Sequence, residues 1–283
     1  MSQIDSKTRM LGILGRNISY TLSPIIHNFS LKQLELNQVY LPFDMSEDQI
    51  ENFLDVFWSL GGVGLNVTTP YKEKVGTLIG ASLGAVNTLY RGKKSWEGIS
   101  TDGEGFYKGL CRLNQDLSRY KTVVILGNGG VVPSLVNFWS TQVEKSTFHI
   151  LRRSEKKDAA FVKKLTTSNY DFHPFEPRAL ESLVRGKENI LLVQATNAPR
   201  FGETLEKYVG ALKGFSGIFV DLLYGERSAL FDYARSHRIP SQDGIPMLIE
   251  QARLAQQTWW NGETASYAGI EAAIERELGL PCD

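Results

Sequence analysis

Short apolar runs alternate along this chain with stretches whose apolar residues return every three or four positions. Met10–Leu14 reads as a first strand. Ser23-Pro24 reads as a helix start, the serine as N-cap and the proline at the first helical position. Ile25, Ile26, Phe29 and Leu34 then fall on one helical face. Val39–Phe43 is a second strand, and Ser46–Leu60 a helix that buries Ile50, Phe53, Leu54 and Phe57, with Ser46 and Gln49 spaced as a capping box. Gly61-Gly62 ends that helix and Val63–Val67 follows as a third strand. Ala85–Tyr90 and Trp96–Ile99 form a hairpin about the basic Arg91–Lys94 turn.

The alternation then restarts. Lys121–Leu126 is a β-branched run, and Phe148–Leu151, Ile190–Val193 and Ile218–Leu222 are further buried-type strands with helical stretches between them. Strands that alternate with helices predict parallel sheet and an α/β class. Ile245–Trp260 and Thr264–Leu278 break the pattern as two consecutive helices. The restart puts a boundary near Asp102–Gly105.

Composition narrows the picture. The 283 residues are 42% hydrophobic and 22% charged, with 31 basic against 31 acidic side chains. Zero net charge gives no global attraction to nucleic acid or an anionic membrane, so an anionic ligand needs a local site. Cys111 and Cys282 fit no metal-ligand spacing, nor do His27, His149, His173 and His237, and no metal site is expected. The first residues are polar and no apolar run approaches a membrane span, which makes a cytoplasmic protein the default expectation.

Two places carry candidate cofactor chemistry. Val123–Leu126 runs into Gly127-Asn128-Gly129-Gly130, followed by residues able to open a helix. Glycines there let the backbone turn sharply beside a pyrophosphate while helix N–H groups face the anion, although an ordinary tight turn also fits the loop alone. The sixth position of the usual GxGxxG spacing is Val132, and Pro133 follows. The next strand ends in Leu151-Arg152-Arg153-Ser154, where an NAD-selective site would place a carboxylate. Two guanidiniums and a hydroxyl suit a 2′-phosphate, which favours NADP over NAD; a solvated basic helix start is the plainer reading.

Four polar clusters occupy the first hundred residues: Thr21-Leu22-Ser23-Pro24, Asn66-Val67-Thr68-Thr69-Pro70-Tyr71-Lys72-Glu73, Gly84-Ala85-Val86-Asn87-Thr88, and Ser100-Thr101-Asp102-Gly103. Taken singly, each has an ordinary structural explanation. In order, and with Asp221-Leu222-Leu223-Tyr224 and Asp243–Ala252, they resemble the signature of the shikimate dehydrogenase family from about Leu11 to Gly262.

That resemblance implies a substrate domain of residues 1–102 plus 246–283 and a Rossmann-like NADP domain of residues 103–245. It implies reversible NADPH-dependent reduction of 3-dehydroshikimate to shikimate by a monomer or homodimer. By matched position, Lys72 and Asp102 are the catalytic pair. Thr21, Ser23, Thr68, Asn87 and Gln251 hold the substrate, with Asn66 and Tyr224 nearby. Gly127, Asn128, Gly129, Gly130, Val131, Arg152, Arg153, Ser154, Thr196 and Gly244 fall to the cofactor. The chemistry agrees: hydride delivery builds charge on a ketone oxygen that a proton donor must meet, and a polyhydroxylated ring needs many short polar partners.

The chain departs from the family pattern at several positions. Thr21 replaces the usual serine, which bears on shikimate against quinate. Ser100 stands for asparagine before Thr101, Val131-Val132-Pro133 for small residues, Arg152 for the asparagine of N-R-T, and Gln194 for that of N-A-T. An enzyme with relaxed substrate or cofactor preference, and a non-catalytic shikimate-binding paralogue, therefore stand as alternatives.

Overall fold

The first strand, β1 (Arg9–Gly15), is buried from Leu11 to Gly15 and is an interior strand of the first sheet. The structure is a computed structural model that describes residues 4–81 and 85–279, so Gly84 and Cys282 lie outside the described residues. After β1 come α1 (Ser23–Gln33), β2 (Gln38–Asp44), α2 (Ile50–Ser59), β3 (Gly64–Val67), α3 (Lys72–Leu78) and the hairpin β4 (Thr88–Arg91) and β5 (Trp96–Ile99). Then follow α4 (Asp102–Cys111), β6 (Thr122–Leu126), α5 (Val132–Gln142), β7 (Thr147–Arg152), α6 (Asp158–Val162), β8 (Tyr170–Pro174) and α7 (Pro177–Val184). The chain ends with β9 (Ile190–Gln194), β10 (Gly217–Asp221), α8 (Ala229–Ser236), β11 (Ser241–Gln242), α9 (Ile245–Trp259) and α10 (Tyr267–Leu278).

These elements divide into two compact units: residues 1–101 with 249–283, and residues 102–248. The first holds a five-stranded sheet in the order β2-β1-β3-β4-β5, parallel across β2, β1 and β3 and antiparallel thereafter. The second holds a six-stranded, wholly parallel sheet in the order β11-β10-β9-β6-β7-β8. The α/β class is therefore as the alternation predicts. Among the described residues no helix is long and apolar enough to cross a membrane.

In the first unit, Leu14, Leu54, Phe57, Leu65, Val67, Val75, Leu89 and Trp96 make one core. Burying each such side chain contributes roughly 1.5–3 kcal/mol. The Ser46–Gln49 box forms, with Ser46 N–H donating to Gln49 Oε1 at 3.0 Å. In the second unit, apolar clusters cover both faces of the sheet, one around Trp139 and Phe148, the other around Tyr208 and Phe219.

Two local expectations are corrected. Leu22, not Ser23, occupies the cap position of α1, and no side chain caps that end; Ser23 lies within the first turn. The face α1 buries carries Ile26, His27, Ser30 and Leu31, whereas Ile25, Phe29 and Leu34 are only partly covered. A polar pair turns inward because Gln256 of α9 meets it: its Nε2 donates to Ser30 Oγ at 2.9 Å and lies 3.4 Å from His27 Nδ1.

Candidate active site

In the first unit, register alone brings four sequence-distant clusters to one end of the sheet. Leu14 of β1 pairs with Val67 of β3, Asn66 with Thr88, and Thr88 with Ile99. The exits of β1, β3 and β5 and the entry of β4 therefore share an edge. Thr21 and Ser23 follow the first exit, Thr68 and Lys72 the second, Thr101 the third, and Asn87 precedes β4.

Several of these side chains join Asn66 in a polar network that is buried at Ser23, Asn87 and Thr101. Asn87 Nδ2 donates to Thr101 Oγ1 at 3.0 Å, and Asn87 Oδ1 accepts from Thr101 N–H at 2.9 Å. Asn66 Nδ2 donates to Asn87 O at 3.2 Å and Thr88 Oγ1 at 3.1 Å, while its Oδ1 accepts from Tyr40 O–H at 2.7 Å. Asn66 thus spends its amide inside the fold. Thr21 Oγ1 donates to Ser23 Oγ at 3.2 Å, and Ser23 also bonds to Tyr40. Burial pushes the Tyr40 hydroxyl well above the ordinary tyrosine range, so it is a fixed neutral donor.

Lys72 opens α3 and is partly buried. Its carbonyl accepts from Val86 N–H at 3.1 Å, which ties the lysine's backbone to the residue preceding Asn87. Thr68 is held by Thr68 N–H donating to Leu14 O at 2.9 Å, and its methyl fills the space a Cβ on Gly15 would need, 2.6 Å away. Gln251 is partly buried on α9. Trp259 and Trp260 serve packing, their indole N–H groups donating to Leu89 O at 2.8 Å and Gln38 Oε1 at 3.1 Å.

In the second unit, parallel strands put the exits of β6, β7, β9 and β10 at one edge, the usual ligand side of an open α/β sheet. Gly127 has φ 108°, and a Cβ there would lie 2.8 Å from Thr196 Cγ2. Gly129 and Gly130 face open space, their nearest neighbour for a Cβ being Ala195 O at 3.8 Å from the former. Val131 precedes α5, which accepts Pro133 in its first turn. Asn128 Nδ2 is buried and has no hydrogen-bond partner among the described residues. A glycine turn, the start of an eleven-residue helix and an orphaned amide donor together fit a dinucleotide's pyrophosphate.

The basic pair at the end of β7 splits in function. Arg152 is nearly covered and locked, its Nε 2.6 Å from Asp158 and its Nη2 3.2 Å from Glu155. Arg153 stands out over the Phe175 ring, 4.9 Å from its centroid, and pairs with Glu203 at 2.6 Å. Ser154 Oγ accepts from Lys156 N–H at 3.3 Å and caps a short 3-10 turn. Local ion pairing thus leaves Arg153 as the one arginine of the pair with an exposed guanidinium.

Asp221 organises the remaining loops. It is buried, and its carboxylate accepts from Ser228 Oγ (2.5 Å), Ser228 N–H (3.1 Å), Leu223 N–H (3.1 Å) and Gln194 Nε2 (3.2 Å). Desolvation still leaves its carboxyl above the usual range. Gln194 Oε1 in turn accepts from Thr196 N–H at 2.5 Å, so the glutamine in place of asparagine sets the turn that backs Gly127. Tyr224 lies under the Arg200 guanidinium at 5.2 Å. Gly244 cannot carry a side chain, since a Cβ would collide with Leu222 O, and Asp243 Oδ1 accepts from Ile245 N–H at 3.0 Å where α9 begins. Asp102 is the first residue of α4 and is buried.

Tyr40, His27, Asp221 and Glu203 are site-shaping residues that sequence reasoning did not assign. His27 stacks on Tyr40 with centroids 4.3 Å apart, and burial holds its pKa down at about 3, with a hydrogen bond to Asn66 opposing. The only signal was a histidine and a serine one turn apart on a helix beside apolar residues.

A family model for the shikimate dehydrogenase substrate binding domain matches residues 13–89. The chain is 33% identical over 274 residues to the shikimate dehydrogenase (NADP(+)) of Microcystis aeruginosa, spanning 92% of this chain and 94% of that protein. It is 32% identical over 295 residues to the enzyme of the same name from Thermosynechococcus vestitus, spanning 99% of each. A solved structure of shikimate 5-dehydrogenase from Thermus thermophilus in complex with shikimate is similar with a TM-score of 0.76 at 25% identity, over 96% of this chain and all of that one.

Proposed function

Because this chain belongs to the shikimate dehydrogenase family, we propose that it interconverts 3-dehydroshikimate and shikimate with NADP as hydride carrier. The observation that carries the reading is the polar network of the partly buried Asn66 with the buried Asn87 and Thr101, which closes at the sheet edge where β3 leads to Lys72. Such a set of neutral donors and acceptors suits a ring with several hydroxyls, because each unpaired buried hydroxyl costs roughly 1–3 kcal/mol.

On this reading Thr21 and Ser23 take the substrate carboxylate end, and Thr68, Asn87 and Gln251 take ring oxygens. Asn66 acts through its neighbours, holding the Asn87 carbonyl and Thr88 in place. The bound reduced nicotinamide supplies the hydride. Lys72 Nζ delivers the proton to the ketone oxygen as negative charge builds there, and Asp102 accepts from a neighbouring hydroxyl. In the reverse direction Lys72 Nζ receives that proton. Gly127 to Val131, with the Asn128 amide, would hold the pyrophosphate, Arg153 the 2′-phosphate, and Thr196 and Gly244 the nicotinamide end, with Tyr224 near the substrate. Residues 102–248 are accordingly the cofactor unit and the remainder the substrate unit.

Initial rates at 340 nm with shikimate or quinate, each against NADP and NAD, test the proposal. Reduction of NADP by shikimate is expected, and Lys72→Ala should lose about 10²-fold or more in kcat with nucleotide binding intact. Near-normal turnover by that variant would remove the lysine from the mechanism. Binding of shikimate by folded protein without any turnover would establish a non-catalytic paralogue instead.

A further inference from the structure

The partner that Arg153 has chosen is unusual for a phosphate ligand. Glu203 lies beyond β9 and Arg153 beyond β7, and β6 with its glycine loop runs between those two strands. The ion pair therefore joins the two loops that flank the glycine loop's strand. Its ends are reachable, with side-chain exposures of 55% for Arg153 and 38% for Glu203, against 16% for Arg152. Glu203 also has a second cation, Lys207, with Nζ 3.8 Å from its other oxygen.

We propose that Glu203 is an internal counter-anion that sets how strongly this protein prefers a 2′-phosphorylated adenine nucleotide. The inference rests on the reading of Arg153 as the 2′-phosphate ligand. A 2′-phosphate approaching Arg153 meets a guanidinium already neutralised at 2.6 Å and a carboxylate that repels it. Binding requires the carboxylate to give up Arg153 and keep Lys207, a change of partner for one side chain. A nucleotide with a free ribose 2′-hydroxyl meets the opposite situation, since a carboxylate is the group that accepts from that hydroxyl in NAD-selective sites. Glu203 thus penalises the phosphorylated nucleotide and tolerates the other, which narrows the discrimination Arg153 alone would give. The stack of Arg153 on Phe175 keeps the guanidinium in place through the exchange.

Calorimetric titration of the whole protein with adenosine 2′,5′-bisphosphate and with ADP separates these roles without reading activity. Glu203→Gln should tighten the bisphosphate by about 3- to 10-fold, as expected for release of an exposed ion pair plus loss of repulsion, and should leave ADP equal or weaker. In an Arg153→Ala background the same substitution should have a smaller effect, that of the lost repulsion alone. An unchanged bisphosphate affinity, equal tightening of both nucleotides, or an undiminished effect without Arg153 would each overturn the proposal. If Arg153→Ala alone leaves the discrimination between the two nucleotides intact, the fault lies earlier, in the assignment of the 2′-phosphate to Arg153.

Discussion

Lowering the pH from 7.5 to 5 should weaken the first unit through one side chain, His27. It is 1% exposed, stacked on Tyr40 and hydrogen-bonded within the fold, and its pKa in the folded chain is about 3 against 6.5 for an ordinary histidine. The unfolded chain therefore takes up a proton near pH 6.5 that the folded chain refuses until about pH 3. The stability His27 contributes is full above 6.5 and is lost as the pH falls through that window. The limiting slope is about 1.4 kcal/mol per pH unit, so the loss between pH 7.5 and 5 is roughly 2 kcal/mol. Urea unfolding in a Trp139→Phe background measures it, because the four other tryptophans of the chain's five all lie in the first unit. The Trp139 indole N–H has no hydrogen-bond partner among the described residues. His27→Gln lowers stability at pH 7.5 by removing the stack, but it should flatten the slope. His149, whose pKa burial also lowers, contributes equally to both proteins and cancels. If His27→Gln loses as much stability from pH 7.5 to 5 as its parent, the buried-neutral account of His27 is wrong.

Two further substitutions probe the second unit. Asp221→Ala strands two buried backbone N–H groups, those of Leu223 and Ser228. Relief of the buried carboxylate's desolvation offsets part of that loss, leaving about 3 kcal/mol. Thermal unfolding should show a midpoint lowered by roughly 6–12 °C, and a change of under 2 °C would contradict the hub role. Gly127→Ala must hold φ 108° and place a methyl 2.8 Å from Thr196 Cγ2, which costs about 1–3 kcal/mol. Calorimetry should then show weaker ADP binding, and unaltered affinity would mean that the loop does not approach the nucleotide.

The α/β class was legible because β1, β6, β9 and β10 are short apolar runs that few other structures accommodate. β8 was not, because as an edge strand it buries little and reads YDFHP, with no apolar run. The buried face of α1 was misjudged for a related reason. His27 and Ser30 become tolerable inside only when Gln256, some 230 residues later, supplies a partner, and no local window contains that fact. The candidate site divides the same way. Motif spacing picked out Lys72, Asn87 and the glycine loop as candidates, since each lies within a few residues of a recognisable strand. The division between Arg152 and Arg153 depended on Asp158 and Glu203, one nearby and one 50 residues off, and adjacent arginines look alike in sequence.

The first unit is discontinuous, and that has a consequence for the order of events at the ribosome. Residues 4–101 emerge with β1, β2 and β3 able to pair, but Gln256, Trp259 and Trp260 have yet to be made. At 5–20 residues per second, the whole of residues 102–248 occupies the interval, on the order of ten seconds. Throughout it the nascent sheet lacks the indole that donates to Leu89 O and the amide that meets Ser30 and lies against His27. The uninterrupted second unit has no such wait. The half begun first is thus the half finished last, and its open seam is the stretch of nascent chain that a chaperone would have most reason to hold.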